Sequence, residues 1–261
     1  KPRHPGPPTE RGRRLSSVTA AELLLEIGVE ELPYQFIAPA LAALKGSAEQ
    51  SLTDQRLGFQ SVRTLGTPRR LTLVVQGLAT RQISVVKEAI GPSKSVAFDP
   101  AGQPTRAAMG FAAGQGVGVH ELQIRQTPKG EYLCAVKEEQ GRPANVVLEE
   151  LLPQLIATLS FPKAMKWNHT GVRFARPVRW LVALFGGATL PIEAAGITAG
   201  NRTAGHRVLG NAKGLVVRDY ESYLKGLERQ GVIPDPQRRR RVIEDQIAMI
   251  CNKTGFRLNV D

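Results

Sequence analysis

The chain has 261 residues, enough for one large domain or two to three small ones, and at this size roughly 70 to 75% of the unfolded surface is buried without disulfide or metal staples. Apolar residues make up 42% and charged residues 22%, which excludes collagenous, coiled-coil and wholly disordered classes. Thirty-five Lys and Arg against 23 Asp and Glu leave a net charge of +12, so the expected partner is a polyanion, nucleic acid before an acidic membrane surface.

Residues 1–20 hold four prolines, five basic residues and one acid, with no apolar period. Such a stretch cannot bury enough surface to order itself, and it is expected to be a disordered tail, a linker or a vector-derived remnant. From Glu22 the pattern becomes regular. Residues 23–29 predict a buried strand, and Pro33 opens an apolar-periodic helix reaching about Leu57. Residues 61–65 and 70–78 predict strands, the second carrying Leu71, Leu73 and Val75 on one face. A Gly- and Pro-rich passage over 91–118 holds one short helix, 104–113, and a hairpin of 123–126 and 131–138 turns at Pro128-Lys129-Gly130.

Pro143 opens a helix whose Val147, Leu151, Leu155 and Leu159 run to Ser160, with a kink or break at Pro153. Strands are expected at 179–185, 190–197 and 215–218. Asp219 caps a helix stopped by Gly231, and a last helix over 236–253 is stopped by Gly255. The chain ends at Asp261 as a new extended segment begins, which suggests truncation. The expected fold class is α+β, with mixed or antiparallel sheets and packed helices in two or more subdomains. These are an N-terminal α+β region over 21–160, a basic β-rich region over 161–218, and a helical segment over 219–261 leading into a missing remainder.

Cys134 and Cys251 match no metal or redox spacing, which suggests buried thiols in a reducing compartment. The longest apolar runs fall far short of the ~20 residues that span a bilayer, so a soluble intracellular chain without membrane contact is expected. GHRVLG, 205–210, has the glycines of a phosphate-binding P-loop but Asn211-Ala212 where Lys-Ser/Thr must stand. Gly114, Gly116 and Gly118 do not make a dinucleotide fingerprint, and the isolated His120, His169 and His206 argue against zinc. Glu26, Glu30 and Glu31 either serve Mg²⁺ or acid/base chemistry or, more simply, Glu30 and Glu31 complement the positive end of the helix opened by Pro33.

Charge is concentrated in one place. Between Phe161 and Arg207, Lys163, Lys166, Arg173, Arg176, Arg179, Arg202 and Arg207 face the single acid Glu193, interleaved with Phe161, Trp167, Phe174 and Trp180. Cations hold phosphates and planar rings stack on unpaired bases, so the mixture suits RNA; the alternative is a solvated face with its aromatics in the core. The RNA-binding candidates are therefore Lys163, Lys166, Trp167, Arg173, Arg176, Arg179, Arg202, His206 and Arg207. Weaker ones are Arg69, Arg70 and the run Arg238, Arg239, Arg240, Arg241, of which at least one must turn toward the domain and pair. No catalytic or metal-ligating residue is proposed.

Seven collinear strings are more specific than their physics: LLLEIGVEELP from Leu23, TPRRLTLVVQGL from Thr67, FDPAGQPTRAAMGFAAGQGV from Phe98, KGEYL from Lys129, FPKAMKWN from Phe161, VRFARPVRWLVALFGG from Val172, and GHRVLG. Together, over 22–261, they resemble the N-terminal part of the beta subunit of bacterial-type glycyl-tRNA synthetase. The resemblance implies a heterotetramer of two alpha and two beta subunits that joins glycine to tRNA(Gly) with ATP and Mg²⁺. The class II catalytic core lies in alpha, and beta supplies tRNA recognition. Fused alpha-beta chains exist, in which residues 1–20 would belong to an inter-subunit linker, and a plastid-type fusion would be organellar rather than cytoplasmic.

The sequence itself supports that division of labour. It has no F-R-x-E motif, Glu121 stands where G-x-G-x-G-x-x-R needs its arginine, and class I signatures are absent. No cofactor is therefore expected in this portion. The family chain runs on through a region resembling an HD domain to an anticodon-binding domain, so anticodon contact is assigned to none of these residues. The implied partners are the alpha subunit, tRNA(Gly) and the remainder of beta. The alternative function is a purely structural docking module for alpha or the rest of beta, without direct tRNA contact.

Overall fold

The computed structural model describes residues 19–210, 214–257 and 259. The tail expected over 1–20 lies, up to residue 18, outside the described residues. The chain divides into two units: Gln82–Arg142 is one, and the stretches before and after it form the other. In chain order the larger unit begins with β1 (Ala20–Val29), α1 (Tyr34–Asp54), β2 (Ser61–Thr67) and β3 (Arg70–Ala79). The inserted unit holds β4 (Val85–Ser93), α2 (Lys94–Ala97), α3 (Arg106–Gln115), β5 (Gln123–Thr127) and β6 (Gly130–Glu139). The larger unit resumes with α4 (Ala144–Thr158), β7 (Val178–Phe185), β8 (Ala188–Thr189), β9 (Glu193–Ala194), β10 (Ile197–Thr198), β11 (Arg202–Thr203), β12 (Leu215–Val216), α5 (Tyr220–Arg229) and α6 (Pro236–Thr254). The fold class is α+β.

The larger unit is built on an antiparallel sheet in the order β2-β3-β1-β7-β8. Side chains alternate across a strand, and β1 uses both faces. Leu23, Leu25, Ile27 and Val29 join Leu71, Leu73, Val75, Leu181 and Ala183 in the main core under α1 and α4. Leu24 joins Val74, Val182 and Leu184 on the other face, against Tyr223 and Leu227 of α5. A central strand covered on both sides explains the unbroken apolar run LLLEIGV, since fully burying each Leu contributes about 1.5 to 3 kcal/mol.

Three local details differ from the pattern read along the chain. First, α1 stops at Asp54 rather than near Leu57. Arg56 takes a left-handed φ of 57°, while Leu57 N–H donates to Leu52 O and Arg56 N–H to Thr53 O, both at 2.9 Å. This Schellman closure folds Leu57 back into the core. Second, of the kink or break expected at Pro153 the break does not occur, since α4 continues through it. Third, the single strand expected over 190–197 is a hairpin of β9 and β10, because Ala195 and Gly196 both have positive φ and make a tight reversal.

The inserted unit carries the sheet β4-β6-β5, with Ala97, Ala108 and Leu133 as its buried centre. β4 was not anticipated. Its exposed positions include Val86, Glu88 and Ile90, so it lacks the apolar alternation that marks a strand. Gly91 sits under Phe111, where an added Cβ would fall 2.6 Å from the ring.

Candidate nucleic-acid interface

The alternation that buries Leu24 also places Glu26 and Gly28 on the α5 face. Register then sets Thr72 beside Glu26, and both Arg70 and Trp180 beside Gly28. Trp180 lies flat over Gly28, where a Cβ would fall 1.9 Å from the ring, so no other residue fits. The guanidinium carbons of Arg69 and Arg70 each lie 5.8 Å from the Trp180 ring centroid, within cation–π range.

Arg70 is 1% exposed. Its Nη1 donates to Glu26 Oε1 at 3.2 Å and to Thr203 Oγ1 at 3.4 Å, and its Nη2 donates to the Ala204 carbonyl at 2.8 Å. The Thr203 hydroxyl also donates to Glu26 Oε1 at 2.8 Å, and Thr72 Oγ1 shares a 2.8 Å hydrogen bond with the Tyr223 hydroxyl. Burial pushes the Glu26 carboxyl up, opposed by the Arg70 charge and then by hydrogen bonds from its polar neighbours, Thr203 first. Burial, with Glu26 nearby, also drives the Tyr223 phenol far above its ordinary value, so it stays protonated. Arg70 is thus committed to the interior, and a bound phosphate would have to compete with Glu26 for it.

Beside this network a cavity of about 400 Å³ gathers Glu31, Arg69, Arg70, His206, Arg207 and Arg239. Arg239 is held by the carbonyls of Ile233 at 2.7 Å and Gly66 at 3.2 Å. GHRVLG forms one wall as a compact turn. His206 Nδ1 accepts from Val208 N–H and Leu209 N–H, both at 3.1 Å, and the His206 carbonyl accepts from Gly210 N–H at 2.8 Å. The remaining arginines of the run face outward: Arg238 pairs with Glu228 at 2.5 Å, Arg240 pairs with Glu244 at 2.7 Å, and Arg241 is exposed. Helical geometry requires that split.

The basic stretch is drawn toward the N-terminus of α1. Arg176 Nε donates to the Glu31 carbonyl at 3.2 Å, Arg179 pairs with Glu30 at 3.2 Å, and Arg207 lies 4.0 Å from the Glu31 carboxylate. Lys163 and Arg176 share a second cavity of about 530 Å³ with Pro33, Phe36 and Met165. Arg173 donates to the Ala164 carbonyl at 3.4 Å, and Lys166 is exposed. Arg202 lies exposed in β11, away from the groups at α1 in sequence.

The aromatics of the stretch have other duties. Phe174 is fully buried, Phe161 and Trp167 pack half-buried on the main core, and Trp180 is flanked by Arg69 and Arg70. Glu30 and Glu31 precede α1 rather than lie in it. The first turn of α1 holds no acid, and both carboxylates face arginines. Among the described residues no group of three or more His, Cys, Asp or Glu side chains gathers as a metal site, and no helix is long and apolar enough to cross a membrane.

The reading along the chain did not anticipate Thr203 as a partner of Glu26, nor the hydrogen-bonded pair Thr72–Tyr223 beside it. Its one signal was a carboxylate inside an apolar strand, which demands a buried cation nearby.

A family model described as glycyl-tRNA synthetase beta subunit matches residues 23–261. The glycine-tRNA ligase beta subunit of Geobacter metallireducens is 47% identical over 240 residues, covering 92% of this chain and 35% of the relative. Those of Syntrophotalea carbinolica and Moorella thermoacetica are each 46% identical over 242 residues, covering 93% of this chain and 35% of theirs. The chain therefore spans about a third of the length of these relatives.

Proposed function

The chain belongs to the glycyl-tRNA synthetase beta subunit family, and from that premise we propose that it contributes tRNA binding and subunit assembly to the ATP-dependent attachment of glycine to tRNA(Gly), with the catalytic core in the alpha subunit. ATP and Mg²⁺ serve the complete enzyme in this reading, which takes place in the cytoplasm, or in an organelle for a plastid-type fusion. The carrying observation is a set of exposed cations in one stretch of chain, Lys163, Lys166, Arg173, Arg176 and Arg179, of which Lys163, Arg176 and Arg179 lie around the start of α1. They suit phosphate contact. With Phe174 in the core and Phe161 and Trp167 packed on it, these cations rather than the rings are assigned the contacts to RNA.

Replacing Lys163, Lys166, Arg173 and Arg176 with Ala is expected to weaken tRNA binding and flatten its dependence on salt. Each lost phosphate contact removes about 0.7 to 0.9 from the log–log slope. Filter binding across a salt series measures both, and unchanged affinity with unchanged slope would overturn the reading.

A docking role has its own support. No residue of α6 is buried, and Ile243, Met249 and Ile250 are exposed on it. Capture of the alpha subunit by this chain, with no tRNA shift at low salt, would favour docking over RNA contact.

A further inference from the structure

We propose that the cavity beside the Glu26–Arg70 network is a binding site for a nucleoside 5′-monophosphate unit, with the phosphate on Arg69 and Arg207 and the base against Pro68, Val208, Val232 and Ile233. The inference goes beyond the tRNA face and does not require it.

Size is the first argument. About 400 Å³ lies in the range of small-molecule sites, roughly 300 to 1,000 Å³, and an inorganic anion would leave most of it unfilled. Such sites combine apolar walls with a few convergent polar groups. Here the walls are Pro68, Val208, Val232 and Ile233, and the polar groups are guanidinium groups.

Charge is the second argument. Four arginines line the cavity against one carboxylate, Glu31. Arg70 is offset by Glu26, and Arg239 is anchored on two neutral carbonyls that leave its charge in place. Arg207 is loosely opposed by Glu31 at 4.0 Å, with its side chain 70% exposed.

Arg69 carries the argument furthest. Its guanidinium lies over Trp180 and its buried Nε has no hydrogen-bond partner among the described residues. That Nε is itself closed to the cavity, but a guanidinium resting on a ring face keeps its charge, and a phosphate in the cavity would offset it. Arginine's planar fork suits phosphate better than a point charge does. A triphosphate fits less well, because it would bring Mg²⁺, whose coordination calls for carboxylates, and Glu31 alone already faces Arg207.

The test is equilibrium dialysis of the 261-residue chain against radiolabelled 5′-AMP at low salt. Saturable one-to-one binding is expected. Arg69→Ala and Arg207→Ala should each weaken it about tenfold, the scale of one charged hydrogen bond. Arg207 is exposed enough that its removal leaves the fold intact, so a null result there cannot be blamed on unfolding. Lys163→Ala with Lys166→Ala should leave binding unchanged, which separates this site from the tRNA face.

A single-stranded trinucleotide ending in adenosine distinguishes the two sources of the ligand. If it displaces 5′-AMP and binds more tightly, the natural occupant is an unpaired nucleotide of RNA. If it does not compete, the occupant is a free nucleotide. Absence of 5′-AMP binding, equal binding by inorganic phosphate, or indifference to both arginine substitutions would each overturn the proposal.

Discussion

Arg70 is the residue on which the α5 face of the sheet depends. It compensates a carboxylate that is itself wholly buried, and removing one partner of a buried pair leaves an uncompensated charge, at a cost of about 3 to 5 kcal/mol. Arg70→Ala is expected to lose that much in urea unfolding, and Glu26→Gln in the same background should recover part of it. A loss below about 1 kcal/mol would show that Glu26 does not need the arginine. The pH dependence follows from the raised carboxyl. Above 4.5, its ordinary value, the folded state holds the proton more tightly than the unfolded chain, so stability falls as pH rises through that window. Without Arg70 the window extends upward, and the variant should lose more stability than the parent as pH rises above 4.5. Glu26 was read with Glu30 and Glu31 as an acidic cluster, and Arg70 as a candidate for RNA. Adjacent arginines look alike in a sequence. Only the pairing of Arg70 with Gly28 turns one of them inward.

The ends of α5 and α6 were the most readable features, because their chemistry is local. Asp219 precedes α5 and its carboxylate accepts from Ser222 N–H at 2.7 Å, while Ser222 Oγ accepts from Asp219 N–H at 3.1 Å. The hydrogen bonds from Ser222 hold the Asp219 carboxyl below its ordinary value. Asp219→Ala should cost about 1 kcal/mol, read as a shift in the denaturation midpoint, whereas Asp219→Asn should lose little at neutral pH. The cap is complete above pH 3.8, the ordinary value, and is lost as pH falls through the lower folded value. The deficit of the Ala variant should therefore shrink in acid, and a deficit independent of pH would assign the stability to something other than the carboxylate. Strands were less readable where they lack a clean apolar face. β4 was missed for that reason, and β9 and β10 were merged because the positive φ at Ala195 belongs to a residue type that seldom adopts it.

At the scale of the whole molecule, the insertion is the main architectural feature. Each unit has its own buried cluster: residues 82–142 contribute nothing to the two cores of the larger unit, and Arg81 bridges to Pro143 across the insertion point. Joining Arg81 to Pro143 through a short glycine linker should leave a cooperatively folding chain whose midpoint temperature changes by no more than about 4 °C, equivalent to roughly 1 kcal/mol at this size. Broad, non-cooperative unfolding would show that the larger unit needs the insertion. The boundary at 82 and 142 falls inside what reads as one α+β region, since no linker composition marks it. The net charge of +12 raised the expectation of a polyanionic partner, and the order of the basic residues narrowed that expectation to a stretch ending at Arg207. Sequence alone determined the α+β class, the helix caps, the apolar strand β1 and the family, because these depend on local chemistry and on the order of residues along the chain. Tertiary structure alone decided which partners the arginines meet. Of the four arginines that line one cavity, Arg70 and Arg239 are held by interior partners and Arg207 is largely exposed, while Phe174 belongs to the core. These outcomes depend on strand register and on neighbours as far apart in the chain as Glu26 and Thr203, whose meeting no local pattern encodes.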